Sequence, residues 1–399
     1  MASDNRTVKA TCLCGAAKHE VTLPTPAYPL KAYLCHCNSC RHSTGTLCLT
    51  EANLPPSYSP SEDLLAKLSP YDFSQRLTNF SCPTCGSKLL CRAWIDNDDH
   101  SKGATWDVMC GTLEEADGVY EYQAHEHIQD TLDSGFADFL PDLPRWPGTP
   151  EKDELHPIKE QALPLDWVSP DRPQIESSAT DRLYCHCKCN GVEFWIARPS
   201  ERSKNASCAW PDVILPDYLN QQGPDDTPWW LIDDGKKFSG GVCACDSCRL
   251  DSGQEWVEWA FVPTIDISLD AEGKKPWDLP YGSLKGWGTL KGYESSKGGK
   301  DSSSVVRYHC GTCGASVFFT TDSRKDLVDI AVGLLDAPEG ARAESWLEFW
   351  TRRLSFREDS ISRAEANTLA LEAGLKQFGE RHNLKAKQAE IEKTTGHEY

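Results

Sequence analysis

The sequence of 399 residues contains no long hydrophobic run. No apolar stretch reaches the roughly 20 residues that a transmembrane helix needs. The first thirty residues also lack the basic segment followed by an apolar core that marks a secretory signal. We therefore expect neither membrane insertion nor secretion, and we predict a cytoplasmic protein.

Basic residues are also scarce. The chain has 41 Lys and Arg against 60 Asp and Glu, which gives a formal net charge of -19. A molecule of this charge repels nucleic acid and anionic lipid unless a local basic patch offsets it, and the sequence contains no obvious patch. Nucleic acid and membrane are therefore not expected as partners.

The composition is otherwise that of a folded protein, with 39 % hydrophobic residues, 25 % charged residues and 14 Trp. A chain of 399 residues exceeds the usual size of one hydrophobic core, so two domains are expected.

Cysteine is abundant, and its 19 copies cannot all pair within one chain because the number is odd. Without an export signal the thiols should stay reduced and free to bind metal. The spacings below support metal sites rather than disulfides.

The cysteine motifs occur twice in the same order on either side of a segment, 146–181, that carries six prolines. This pattern predicts an internal duplication. The predicted units are a first zinc domain (1–146), a proline-rich linker (147–181), a second zinc domain with insertions (182–359) and a helical tail (360–399). The insertions, around 199–237 and 266–304, are interpreted as surface excursions.

The local pattern around the motifs predicts β-strands. Short runs such as AKHEVTL, QRLTNF, SKLLCRAW, EWVEWAFV, VVRYH and ASVFFTT are rich in β-branched or aromatic residues. Only the tail is expected to be helical, with a capping box at Ser362 and Glu365 and one apolar face formed by Leu371, Leu375 and Phe378. The predicted fold class is mainly β.

Each half contains a Cys-x-x-Cys-Gly sequence between two strands, which is typical of a zinc knuckle. The Gly is expected where the turn requires positive φ. A Cys-x-Cys pair on a strand would aim both sulfurs the same way and supply the other two ligands. The predicted structural zinc sites are Cys12, Cys14, Cys82 and Cys85, and Cys187, Cys189, Cys310 and Cys313.

The remaining motif has three cysteines, and three protein ligands leave an open position on zinc, which is typical of catalytic sites. The candidate reactive centres are Cys35, Cys37 and Cys40, and Cys243, Cys245 and Cys248. Alternatively, a nearby residue closes the site, with Cys48, Cys91 or Cys110 available in the first half and Cys185 or Cys208 in the second. Such a thiolate-rich site favours thiol chemistry with a small carbonyl compound.

The motifs Cys-x-Cys-Gly, Cys-His-Cys-x-x-Cys-Arg-x-x-Thr-Gly and Phe-x-Cys-x-x-Cys-Gly together resemble the glutathione-dependent formaldehyde-activating enzyme family (centromere protein V/GFA domain). The resemblance covers roughly residues 8–146 and includes MCGTLEE at 109–115. It implies tandem Mss4-like β domains with up to four zinc ions per chain, one structural and one open site in each domain. It also implies carbon-sulfur lyase chemistry, in which glutathione and formaldehyde condense reversibly, so a thiol such as glutathione or its adduct is the expected partner.

Arg41 and Arg249 directly follow the three-cysteine motifs. They could bind a substrate carboxylate or offset the charge of the thiolates, and the sequence does not separate these roles. Intramolecular pairing of the two domains is a further expectation.

Two other functions compete with the lyase. One is a non-catalytic zinc module that binds a protein partner, and the other is a lyase or isomerase of a specialised biosynthetic pathway. Fold alone does not decide among them. Four zinc ions per chain would support two complete domains, whereas two would mean that only the knuckle sites are filled.

Overall fold

The computed structural model describes residues 4–149, 162–175, 178, 181–206, 228–299 and 302–384. The prediction of a mainly β protein is confirmed, because two large sheets dominate these residues. Residues 150–161, 176, 177, 179 and 180 of the predicted linker and the last fifteen residues of the predicted tail lie outside the described ranges.

The first half forms nine strands and two short helices. Its strands are β1 (Asn5–Thr11), β2 (Lys18–Pro24), β3 (Leu30–Cys35), β4 (Leu49–Asn53), β5 (Ser69–Asp72), β6 (Leu77–Ser81), β7 (Lys88–Trp94), β8 (Ala104–Met109) and β9 (Tyr120–Glu126). Its helices are α1 (Asn38–Thr44) and α2 (Glu62–Leu65). The order in the sheet is β5-β6-β7-β8-β4-β3-β9, with β9 parallel to β3 and β1–β2 forming a separate hairpin.

The described part of the second half adds eleven strands and three helices. The strands are β10 (Arg182–His186), β11 (Glu193–Ala197), β12 (Leu231–Ile232), β13 (Lys237–Cys243), β14 (Val257–Pro263), β15 (Ile267–Ser268), β16 (Leu290–Gly299), β17 (Ser302–Cys310), β18 (Ser316–Thr321), β19 (Leu327–Ala331) and β20 (Leu347–Phe349). The helices are α3 (Asp246–Ser252), α4 (Arg357–Ile361) and α5 (Glu365–Arg381). The order β16-β17-β18-β19-β14-β13, with β20 parallel to β13, matches that of the first sheet.

The six strand predictions are confirmed, since each run falls largely on β2, β6, β7, β14, β17 or β18. The insertion around 266–304 is more ordered than a surface excursion, because β16 lies within it and pairs along β17 as the edge of the sheet. The central part of the other insertion, 207–227, lies outside the described residues.

The helical tail is only partly as predicted. The apolar face of Leu371, Leu375 and Phe378 is buried, which is confirmed. The capping box is wrong, because α5 begins after Ala364, and the Ser362 hydroxyl donates to the carbonyl of Asp359 instead. A glycine inside this helix has a packing role, since a Cβ at Gly374 would lie 2.0 Å from the carbonyl oxygen of Phe139.

The two halves pack together through reciprocal backbone contacts. The amide of Gly333 donates to the carbonyl of Gly45 at 2.8 Å, and the amide of Gly111 donates to the carbonyl of Gly253 at 3.1 Å. A Cβ on Gly111 would come within 2.2 Å of backbone atoms of Gln254, so the approach requires glycine. One continuous apolar core runs through both halves.

Glu258 is a buried carboxyl group at this contact and predicts a measurable pH dependence. Its Oε2 accepts from the amide of Leu47 at 2.7 Å, and burial raises the pKa of Glu258 to about 8. An unfolded glutamate ionises near pH 4.3, so the folded protein should lose stability as the pH rises from there toward 8, by at most about 1.4 kcal/mol per pH unit.

Glu258→Gln keeps the acceptor oxygen and removes the ionisation. Urea unfolding of this variant between pH 5 and 8 should therefore show a smaller loss of stability with pH than the parent chain. Glu121→Gln, at an exposed position of β9, is the matched control. Equal pH slopes for the parent and Glu258→Gln would contradict a buried neutral carboxyl group.

Candidate metal centres

The four-cysteine group of the first half joins two turns. Cys12 and Cys14 lie in the turn after β1, and Cys82 and Cys85 lie in the turn between β6 and β7. Their four sulfur atoms all lie within 4.8 Å of one another. The sulfur atom of Cys14 is 3.5 Å from that of Cys12 and 3.6 Å from that of Cys82. The predicted grouping is therefore present, but the expectation that Cys-x-Cys lies on a strand is wrong, because β1 ends at Thr11.

The second half has the same arrangement. Cys187 and Cys189 follow β10, Cys310 is the last residue of β17, and Cys313 lies in the turn before β18. The Cys189 sulfur is 3.6 Å from that of Cys187 and 3.4 Å from that of Cys310. A tetrahedron with bonds of 2.3 Å has edges of about 3.8 Å, so both groups of thiols fit a zinc ion with small adjustments.

The glycine that ends each knuckle has the predicted conformation. Gly86 has φ +81° and Gly314 has φ +76°, and their amides donate to the carbonyls of Cys82 and Cys310, each at 2.9 Å. A residue with a Cβ is strained in this region of φ. This hydrogen bond tightens the turn around the two sulfur atoms.

The three-cysteine motif of the first half runs from a strand end into a helix. Cys35 is the last residue of β3, Cys37 is the N-cap of α1, and Cys40 lies in its first turn. The Cys37 sulfur accepts from the amide of Cys40 at 3.3 Å, and α1 ends at Gly45 with φ +84°. The helix thus explains the Cys-x-x-Cys spacing, because its first turn brings Cys40 back over Cys37.

Cys243, Cys245 and Cys248 repeat this geometry at the end of β13 and the start of α3. Cys245 is the N-cap, its sulfur accepts from the amide of Cys248 at 3.3 Å, and Gly253 ends the helix with φ +78°. In both motifs the three sulfur atoms lie within 4.8 Å of one another.

The alternative fourth ligands do not join these groups in the described residues. Cys48, Cys91 and Cys110 are buried outside the first group, and Cys185 is buried outside the second. Cys208 lies outside the described residues. Among the described residues, each motif therefore offers three sulfur ligands and no fourth cysteine.

The clustered thiols do not titrate independently. The thiols of Cys35 and Cys40 lower the pKa of Cys37 to about 2, while their own pKa values are raised. In the second motif the neighbouring thiols of Cys243 and Cys245 lower the pKa of Cys248. Each group thus favours a thiolate, which is the form that binds metal.

The first motif has two partly exposed cysteines and two nearby carboxyl groups. Cys35 and Cys37 are partly exposed. Burial raises the pKa of Glu51 on β4, with further contributions from Asp107, Glu126 and Cys37. Burial also raises the pKa of Asp107 on β8 to about 6, and Asn53 donates to this carboxyl group at 2.7 Å. Glu51 and Asp107 come from strands rather than from the cysteine motifs, which is why the motif analysis missed them.

The second motif is covered by an arginine. Its three cysteines are all buried, and Nη1 of Arg307 lies 3.3 Å from the Cys248 sulfur. The same guanidinium group stacks over Phe319 at 4.9 Å from the ring centroid. The residue three positions before the first knuckle is Asn79, whereas Arg307 holds that position in the second half. This difference is visible in the sequence when the two knuckles are aligned.

Arg41 and Arg249 reach across the contact between the halves. Nη1 of Arg41 donates to the carbonyl of Leu335 at 2.5 Å and to that of Gly333 at 3.1 Å. Arg249 donates to the carbonyl of Gly111 at 2.7 Å. Both side chains are buried. Their substrate contact stays a prediction, and the observed bonds favour a role in joining the halves.

Comparison with known proteins gives one match. Residues 7–130 match the family described as glutathione-dependent formaldehyde-activating enzyme. No curated protein and no solved structure matches the chain significantly. No described helix is both long and apolar enough to cross a membrane. The matched segment contains both cysteine groups of the first half, and the second half lies outside it, so the duplication stays a prediction. Residues 7–130 are therefore similar to the glutathione-dependent formaldehyde-activating enzyme family.

Proposed function

We propose that the first half is a zinc-dependent carbon-sulfur lyase that acts on the thiol adduct of formaldehyde or of another small electrophile. The observation that carries this proposal is the trio of Cys35, Cys37 and Cys40, of which the first two are partly exposed, inside the segment that matches this family. A reducing compartment such as the cytoplasm would keep these thiols available.

Zinc bound by these three cysteines would keep a position for a thiol and would lower the pKa of that thiol. In the condensation, a bond forms between the thiol sulfur and the aldehyde carbon, and the thiol proton ends on the aldehyde oxygen. The lyase direction reverses both changes. The carboxyl group of Glu51, whose pKa is raised by burial, is the nearby group that can hold a proton during this exchange.

We also propose that the two halves arose by duplication and that the second three-cysteine site is structural. The matching strand order and helix caps support the duplication. The buried sulfur atoms and the guanidinium group of Arg307 support a closed site, because a substrate would have to displace a buried cation that contacts Cys248. The second half on its own thus fits the alternative of a non-catalytic zinc module.

The test compares two matched variants, Cys40→Ser and Cys248→Ser. Formation of the hemithioacetal from glutathione and formaldehyde would be followed by exchange NMR against the spontaneous rate. We expect Cys40→Ser to reduce the enzymatic enhancement by at least about 100-fold, and Cys248→Ser to keep it within a few-fold.

Circular dichroism spectra would show whether each variant is folded, and zinc content would show how many of the other metal sites stay filled. An unmodified chain that gives no enhancement with any thiol and aldehyde pair would contradict the lyase. Equal losses in the two variants would contradict the assignment of catalysis to the first half.

A further inference from the structure

A group of potential ligands outside the cysteine clusters lies where the two halves meet. His42 comes from α1 of the first half, His186 ends β10, and Asp336 follows the turn at 332–334 of the second half. One ligand atom from each lies within 4.8 Å of the other two. Nε2 of His186 is 3.8 Å from Oδ2 of Asp336. We propose that these three side chains bind a divalent transition-metal ion that bridges the two halves, independently of the proposed lyase activity.

The hydrogen bonds set the tautomer of both imidazole rings. Nδ1 of His42 lies 2.8 Å from the carbonyl oxygen of His186, and Nδ1 of His186 lies 3.1 Å from that of Cys187. A carbonyl oxygen can only accept, so each Nδ1 carries the proton and each Nε2 keeps its lone pair. Histidines that bind metals commonly donate their other ring nitrogen to a backbone carbonyl in this way.

The two imidazole rings are stacked face to face. Their centroids are 4.0 Å apart with an angle of 17° between the planes. Tyr184 stacks on His186 at 4.8 Å, also with 17° between the planes. Metal bonds of 2.0–2.1 Å in a tetrahedron would place ligand atoms about 3.3 Å apart, which is close to the 3.8 Å between His186 and Asp336. An ion lies near the plane of each imidazole that binds it, so the proposed site requires one of the two rings to turn out of the stack when the ion binds.

The site has an entrance and a suitable charge. His42 is 5 % exposed, whereas the side chain of Asp336 is 51 % exposed, so an ion can enter from the Asp336 side. Two nearby cations are directed to other partners, because Arg41 donates to the carbonyl of Leu335 and Lys188 donates to the hydroxyl of Ser39. Two imidazoles and one carboxylate suit Zn²⁺, Ni²⁺ or Co²⁺ better than Ca²⁺ or Mg²⁺.

The opposite contact between the halves provides an internal comparison. Leu250 follows Cys248 by two residues as His42 follows Cys40, and Thr11 precedes Cys12 as His186 precedes Cys187. Glu114 corresponds to Asp336, since the amide of each donates at 2.9 Å to a carbonyl of the preceding hairpin, that of Lys9 or Tyr184. The same backbone contact thus forms without imidazoles, so packing alone does not require the two histidines.

The experiment uses the full chain with its cysteine sites saturated with Zn²⁺, to which Co²⁺ is then added. A site of nitrogen and oxygen ligands gives d–d absorption without the sulfur-to-cobalt charge-transfer band that a cysteine site would give. We expect one such site per chain, and a matching calorimetric binding event.

His42→Leu and His186→Thr carry the residues found at the opposite contact, and each should weaken Co²⁺ binding by at least about 100-fold. Asp336→Asn, at an exposed position, serves as a third variant should either histidine variant fail to fold. Glu114→Gln should bind Co²⁺ as the parent chain does. Unchanged Co²⁺ affinity in the folded variants, or charge-transfer absorption in the parent chain, would overturn the proposal.

Discussion

The Cys85→Ser variant should fail to fold stably in its first half. Cys85 is fully buried, and its group joins the turn after β1 to the turn between β6 and β7. Structural zinc contributes about 10–16 kcal/mol to the folding of zinc-finger peptides, which exceeds the total stability of many domains. Loss of one of four ligands would also leave three clustered thiols without the charge that balances them.

Limited proteolysis and zinc analysis of the purified variant would measure this effect. We expect cleavage within 4–149 under conditions that leave the parent chain intact, together with the loss of one zinc ion. Cys91→Ser is the matched control, because Cys91 is buried in the same sheet and does not belong to the group. A Cys85→Ser chain with the protease resistance and zinc content of the parent would rule out a structural metal there.

The Arg342→Met variant should lose about 3–5 kcal/mol of folding stability. Nη1 of Arg342 bonds to Oδ2 of Asp138 at 2.9 Å, and its amide bonds to Asp133 at 2.8 Å. All three residues are buried. Burial raises the pKa of Asp133 and Asp138, and the guanidinium group of Arg342 opposes that rise. Without Arg342, the buried carboxylates of Asp133 and Asp138 in the first half lose the buried cation that the second half provides.

The sign of the pH effect follows from these pKa shifts. Once Arg342 is removed, both carboxyl groups have pKa values further above those of the unfolded chain, so the deficit should grow from pH 5 to pH 8. Urea unfolding at several pH values measures it. Arg172→Met removes a partly exposed partner of Glu344 and should cost less than about 1 kcal/mol. If Arg342→Met also loses less than about 1 kcal/mol of folding stability, the contact of Arg342 with Asp133 and Asp138 does not stabilise the fold as proposed.

The sequence was sufficient to predict the membership of the cysteine groups, because short Cys spacings are local and their order repeats. It did not predict how they are positioned. Strand periodicity predicts Cys12 on a strand, whereas it lies in a turn, and Cys37 caps a helix. The cover over Cys248 depends on Arg307, which is 59 residues away in the chain. A contact between such distant residues depends on sheet order, which cysteine spacing does not contain.

The predicted division into two domains and a helical tail also did not include what the tail packs against. Leu371, Leu375 and Phe378 were predicted correctly as one face, but periodicity says nothing about what that face packs against. The rings of Phe378 and Phe139 lie 5.0 Å apart, edge to face. Helix α5, which follows the second sheet, thus covers part of the first half.

This packing has a consequence for biosynthesis. The ribosome makes residues 135–139 more than two hundred residues before α5, so the surface around Phe139 must wait for its cover until nearly all of the described chain has emerged. Arg381 reinforces this late closure through its bond to Asp166 at 2.8 Å. The first half, although translated first, is therefore among the last parts of the molecule to be completed.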